Sequence, residues 1–256
     1  MTRNRGRTPR IGLALGGGWA QALSHAGVLR VFEREGIPIY AIAGVSAGAV
    51  AAAAFASGRS SVEIEMAARM MELSSAESLT SFAMGDFLRS LLKSFRFEEM
   101  RLALAIVASD LTAGAPVVFK EKGDVLMPIH ASCAYPGVFP PVRYMDHCLV
   151  DGMVAMEVPA APLRRMGATH VVSVTLPAAS ETFDPRDLQS VMQRSFQIMN
   201  ARNGSQWRRW SDAVISPVVK DWNPRNRAQQ MIEAGKIAAE AVVPRIRKWM
   251  AEERAA

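Results

Sequence analysis

Cysteine is nearly absent: Cys133 and Cys148 are the only two, and they form no CxxC pair. That excludes a disulfide framework and paired-cysteine zinc sites, and it fits a reducing compartment with both thiols buried and unpaired. Long apolar runs are missing too. The best candidate, residues 41–56, falls short of the ~20 residues a membrane span needs and is largely alanine and glycine rather than leucine. Three consecutive glycines interrupt "IGLALGGGWAQA", a poor apolar helix and so no secretory leader. The chain therefore reads as cytoplasmic. No zinc-finger spacing and no aromatic-rich RNA-binding signature occurs, so nucleic acid is not an expected partner. A Walker A lysine-serine pair is absent, and Gln21 stands where a G-x-G-x-x-G loop needs its last glycine. No nucleotide cofactor and no metal is expected.

Acidic residues are the scarcer charge: 24 against 30 basic ones, a net charge of +6. Arg3, Arg5, Arg7 and Arg10 crowd the start, and Arg208, Arg209, Arg225, Arg227, Arg245 and Arg247 lie towards the end. Such a surplus favours anionic surfaces such as lipid headgroups. With half of its 256 residues apolar, the chain has enough to bury a sizeable core. No internal repeat or long linker divides it. Residues 1–9 read as a flexible basic arm and 10–250 as a single domain.

"IGLAL" (11–15) is a buried strand running into glycines, and a helical pattern follows with Leu23, Ala26, Val28, Leu29 and Phe32 inward, closing at Gly36. "IYAIA" (39–43) reads as a second strand and Ala47 to Ala56 as a helix stopped by Gly58. This β-α-β-α opening implies a right-handed crossover and an α/β fold: three α/β/α layers around a mostly parallel sheet. Residues 61–100 suggest two or three amphipathic helices rich in methionine (Met66, Met70, Met71, Met84, Met100), suited to core filling, an acyl-chain pocket or a lid. Strand character returns at 102–111 and 115–119. "ASCAYPGVFPPV" (131–142) reads as a shaped loop, and "HCLVDG" as a strand turning at Asp151-Gly152. A helix at 159–166, a strand at 169–176, a short strand at 213–215 and a C-terminal helix broken at Pro244 complete the outline.

Gly44-Val45-Ser46-Ala47-Gly48 is a G-x-S-x-G at a strand-to-helix junction. There Gly44 and Gly48 relieve crowding in a sharp turn, and the following helix points its N-terminal N–H groups at the exposed Ser46 hydroxyl. A serine that merely caps an alanine-rich helix is the plainer alternative. A nucleophile needs a base. Of the four histidines, His25 lies inside a helix and His170 opens a strand, His130 sits beside the shaped loop, and His147 precedes Asp151 by four residues. Asp151 is better placed, because a strand ending in a tight turn presents its carboxylate at the sheet edge. In contact with Ser46 it would serve as base without histidine. Backbone N–H groups of Gly17 and Gly18 suit a developing oxyanion.

These segments resemble the patatin-like phospholipases. The likeness runs through "LALGGGWAQALSHAGVLRVFEREGI", "IAGVSAGA", "ASDLTAG", "HASCAYPGVFPPV", "LVDG" and "QMIEAGKIAAEA", from about residue 10 to 240. It implies a patatin-like sheet and cleavage of fatty-acyl esters by a Ser–Asp dyad, with Ser46 as nucleophile, Asp151 as base, Gly16, Gly17 and Gly18 as oxyanion hole, and no cofactor. The expected product is that of an esterase, phospholipase A or lysophospholipase. Transfer of the acyl group to a non-water acceptor, or an idle lipid-binding module, are the alternatives. Three positions depart from the family pattern. Gln21 replaces a cation, Trp19 a glycine, and Met153 a small residue after Asp151-Gly152, which together suggest a less anionic or narrower substrate pocket. Transient contact with an anionic membrane is expected through the basic arm, Arg208 and Arg209 flanked by Trp207 and Trp210, and the methionine-rich helices.

Overall fold

A computed structural model describes residues 9–73, 81–176, 187–219 and 226–255. The expected basic arm lies, but for Pro9, outside the described residues, as does Arg225.

The chain opens with β1 (Ile11–Leu15), a short 3-10 helix (Trp19–Leu23), α1 (Ser24–Arg34), β2 (Ile39–Val45) and α2 (Ala47–Ala56). α3 (Ser61–Leu73) and α4 (Ser81–Leu91) lead to β3 (Ala103–Asp110), β4 (Ala115–Lys120), α5 (Leu126–Ser132), β5 (Val142–Tyr144) and β6 (His147–Asp151). The remainder is α6 (Ala160–Arg165), β7 (His170–Val174), α7 (Leu188–Asn203), a 3-10 segment (Gly204–Trp210), β8 (Ala213–Ile215), α8 (Arg227–Glu240) and α9 (Val243–Ala255). The break in the C-terminal helix falls at residues 241–242, and Pro244 sits in the first turn of α9, where a missing N–H costs nothing. One segment read as loop holds a helix: residues 131–132 finish α5, whose Pro128 also lies in a first turn.

All eight strands form one sheet in the order β5-β6-β3-β2-β1-β7-β8, with β4 also paired to β3. β3, β2, β1, β7 and β8 are parallel, and β4, β5 and β6 add an antiparallel margin. β1, the middle of β2 and the first half of β3 alternate large and small residues with period two. Ile11, Leu13, Leu15, Ile42 and Ile106 meet a thick layer that includes α1, α2 and α8. Ala14, Ala41, Ala43 and Ala105 face the other way, under a thin cover from α6 (Leu163) and Trp207. The result is the three-layer α/β/α arrangement, with the size of each strand side chain setting how closely a layer can approach.

The margin carries a detail that positions the site. β3 pairs with β2 from Ala41↔Ala103 to Val45↔Val107, and then with β6 from Ala108↔Asp151 to Asp110↔Leu149. Because β4 covers residues 105–110 of β3 on the opposite edge, β2 and β6 share one edge, end to end. Asp151 thus occupies the rung that the residue after Val45 would have taken.

The methionines divide. Met66 and Met70 are exposed on α3, whereas Met84 and Met100 pack against the core; the Met71 side chain lies outside what is described. Cys133 and Cys148 are unpaired as expected, but half-buried rather than buried, since each sits near the margin of the sheet. Among the described residues, no helix is long and apolar enough to cross a membrane.

Candidate active site

β2 ends at Val45, α2 starts at Ala47, and Ser46 makes the turn between them with φ 54° and ψ −130°. Few non-glycine residues accept a positive φ, and one held there costs of order 1–3 kcal/mol. The surroundings impose it. A β-carbon on Gly48 would stand 2.4 Å from the Leu15 carbonyl oxygen and 2.5 Å from that of Gly16, so α2 begins in backbone contact with the end of β1. One on Gly44 would meet the Ala49 Cα at 2.4 Å. The Ser46 N–H donates to Ser132 Oγ (2.8 Å), which in turn donates to the Val107 carbonyl (2.6 Å).

Asp151 completes the turn from the other side. Its side chain is fully buried, and Ser46 Oγ donates to Oδ2 at 2.6 Å. The Met153 N–H donates to Oδ1 (2.8 Å), and the Asp151 N–H donates to the Ala134 carbonyl (2.9 Å). Burial pushes the carboxyl up to about 7, while the Ser46 and Met153 hydrogen bonds pull it the other way. A carboxylate poised near neutrality and bonded to a half-exposed hydroxyl can accept that proton as the oxygen attacks.

The glycine loop runs alongside. A β-carbon on Gly17 would lie 3.1 Å from Ser46 Cβ and 2.3 Å from Met153 Sδ, so the Gly17, Ser46 and Met153 side-chain positions converge. The three N–H groups differ. Gly16 donates to the Val174 carbonyl (3.0 Å) and Gly17, with a longer bond, to that of Glu157 (3.3 Å). The N–H groups of Gly18 and of Ala47 have no acceptor among the described residues. Gln21 is half-buried in the 3-10 helix, its backbone N–H on the Gly18 carbonyl (3.0 Å), and the Trp19 side chain lies outside what is described.

Among the described contacts, no histidine side chain bonds to Ser46 or Asp151. His25 is buried and donates from Nε2 to the Gly16 carbonyl (2.8 Å), and burial drives it down to about 4, so it stays neutral. His147 Nδ1 donates to Asp110 Oδ2 (2.7 Å), which holds the Asp110 carboxyl below its usual range. His170 stacks on Trp249, and His130, lowered by burial, sits beside α4. Ser132 and Glu157 were not singled out by sequence. Ser132 carries no periodic signal, and Glu157, in a bend whose carbonyl receives the Gly17 N–H, accepts from Thr175 Oγ1 (3.0 Å) and Trp207 Nε1 (3.1 Å) through its carboxylate. Among the described residues, no three His, Cys, Asp or Glu side chains cluster as metal ligands would.

The family model for patatin-like phospholipases matches residues 13–164. The Mycobacterium tuberculosis protein named "Uncharacterized NTE family protein Rv1063c" is 32% identical over 192 residues, 71% of this chain and 53% of that one. "Lysophospholipase NTE1" of Lodderomyces elongisporus is 27% identical over 207 residues, 75% of this chain but 14% of its own length. The chain thus spans about half the length of its mycobacterial relative. In three dimensions it resembles VipD from Legionella pneumophila with a TM-score of 0.57 at 12% identity, covering 93% of this chain and 67% of VipD. That likeness concerns the fold.

Proposed function

The chain belongs to the patatin-like phospholipase family, and on that premise we propose that it is a serine acyl hydrolase cleaving fatty-acyl esters of lipids. The observation that carries the reading is the 2.6 Å bond from the strained Ser46 to the buried Asp151. Asp151 takes the proton from Ser46 Oγ as that oxygen bonds to the ester carbonyl carbon. The oxyanion so formed is met by the N–H groups of Gly18 and Ala47, which have no acceptor among the described residues, and by that of Gly17 once it leaves the Glu157 carbonyl. Collapse breaks the ester bond, the alcohol leaves with the Asp151 proton, and the acyl group remains on Ser46. Water, deprotonated by Asp151, then bonds to the acyl carbon; the bond to Ser46 Oγ breaks, Asp151 returns the proton to that oxygen, and the fatty acid leaves.

Lysophospholipids and neutral esters are the favoured substrates over bulk diacyl phospholipid. Met153 narrows the space above Gly17, which favours one acyl chain over two, and Gln21 brings no cation to a phosphate, which favours neutral esters. The name of the fungal relative points to the same class. The test is labelling with a fluorophosphonate probe, followed by peptide mass spectrometry and assay of fatty-acid release from lysophosphatidylcholine. Label on Ser46, lost in Ser46→Ala and much slowed in Asp151→Asn, is the expected result. A folded wild-type protein that takes no label and releases no fatty acid would sink the reading.

A further inference from the structure

The face of α7 that looks away from the protein is the apolar one. At 3.6 residues per turn, positions 188, 191, 195, 198, 199 and 202 share an arc of about 100°. Four of them are large apolar residues, with Leu188 75%, Val191 41%, Ile198 47% and Met199 53% exposed. The neighbouring arc turns inward. Met192 Cε lies 3.5 Å from where a β-carbon on Gly137 would stand, and Phe196 packs edge-on against Tyr135 with ring centroids 6.0 Å apart. Tyr135 follows Ala134, whose carbonyl receives the Asp151 N–H. The outward stripe therefore lies on a helix seated against the loop that backs the site.

Its charge is one-sided. Residues 188–210 carry four arginines (Arg194, Arg202, Arg208, Arg209) and no acidic side chain. Arg202 lies within the apolar arc, and Arg209 is exposed over the ring of half-exposed Trp210 at 5.3 Å. Arg208 lies over the Trp207 ring at 4.7 Å, as the sequence suggested, but that ring is not on the surface. It is buried with its indole N–H on Glu157 Oε2 (3.1 Å), which anchors this end beside the glycine loop. Outward apolar residues, arginines at their border and an amphipathic aromatic match the depth profile of a bilayer surface: acyl boundary, phosphates and headgroup level.

We infer that the outer face of α7, continued by Arg208–Trp210, is a docking surface for an anionic lipid bilayer. The surface is argued from exposure and charge alone; only its purpose, delivery of lipid to Ser46, rests on the hydrolase reading. Vesicle co-sedimentation tests it, using phosphatidylcholine with and without phosphatidylglycerol, on the wild-type chain, Ser46→Ala, Ile198→Glu/Met199→Glu and Arg202→Gln/Arg208→Gln/Arg209→Gln. Hydrolysis of a soluble short-chain ester is followed in parallel. Wild type and Ser46→Ala should sediment with the anionic vesicles. The arginine variant should bind them about a hundredfold more weakly, and the glutamate variant not at all. Soluble-ester turnover should fall only in Ser46→Ala. Wild-type protein left in solution with both vesicles, or variants that sediment like wild type, would overturn the inference. So would glutamates that leave vesicle binding intact but abolish a concentration-dependent dimer, which would assign the face to a second copy. Vesicle binding without turnover of any ester would instead count against the hydrolase reading.

Discussion

Two neighbouring parallel strands, β1 and β2, end at the same rim and turn into helices by opposite means. After β1 the chain uses three glycines, giving up side chains so that other groups can approach: Met153 over Gly17, and Leu176 over Gly18 at 2.6 Å from a would-be β-carbon. After β2 it uses a serine bent into a conformation that suits glycine better. The first turn is held by outside partners, with Val174, Glu157 and His25 gripping its backbone. The second is held by one hydroxyl, Ser132, and by the carboxylate it meets. One turn offers backbone donors and the other a side chain, and acyl chemistry needs both within a few ångströms.

The largest test of that division is Asp151→Asn. Activity should drop by roughly 10⁴-fold, as when a base is removed from a nucleophile. In the wild type, kcat/KM should fall as pH drops through about 7, where Asp151 takes up its proton. Stability should move the other way. The folded state keeps a proton to about 7 that the unfolded chain loses near 3.8, so wild-type stability declines as pH rises between those values. About three pKa units correspond to roughly 4 kcal/mol. Asp151→Asn should be more stable than wild type at pH 8 by an amount of this order, with little difference near pH 3, in denaturant titrations at the two pH values. Equal stability at pH 8 would mean that the site stores no such strain.

Next is Gly48→Ala, which forces α2 away from the Leu15 and Gly16 carbonyls and so separates the two turns. A loss of about 3 kcal/mol is expected from overpacking, read as a lowered melting temperature. A tolerated alanine would show that the turns are not rigidly coupled. The smallest effect is expected at Gly17→Ala. Its methyl meets the flexible end of Met153, so kcat/KM should fall about a hundredfold through displacement of the site. Adding Met153→Ala should restore most of it, and a double variant as poor as the single one would put the cost in the loop itself.

The opening β-α-β-α was legible because its strands are apolar runs bounded by glycine, and the elbow because glycine, serine and glycine stand where strand gives way to helix. Asp151 was legible as a strand ending in a tight turn. What sequence could not supply was the means of their meeting. Ser132 reaches Ser46 across 86 residues through a single hydroxyl, and no periodicity marks such a contact. The α5 helix that carries it is short, and its last two residues fall in the proline-rich stretch 131–142 that read as a loop. The orientation of α7 was equally hidden. Its apolar residues recur at helical spacing, the usual mark of a core-facing stripe, and only the packing of Met192 and Phe196 shows that the exposed stripe is a different one.

The end-to-end sharing of one β3 edge by β2 and β6 bears on the order in which the site assembles. The elbow belongs to a local unit near the start of the chain, whereas its base lies 105 residues further on and arrives only when β6 closes against β3. Contacts of such separation carry a large loop-closure cost. The Ser46–Asp151 hydrogen bond therefore cannot form before the sheet margin closes. Under the hydrolase proposal, the appearance of esterolysis during refolding would report closure of that margin.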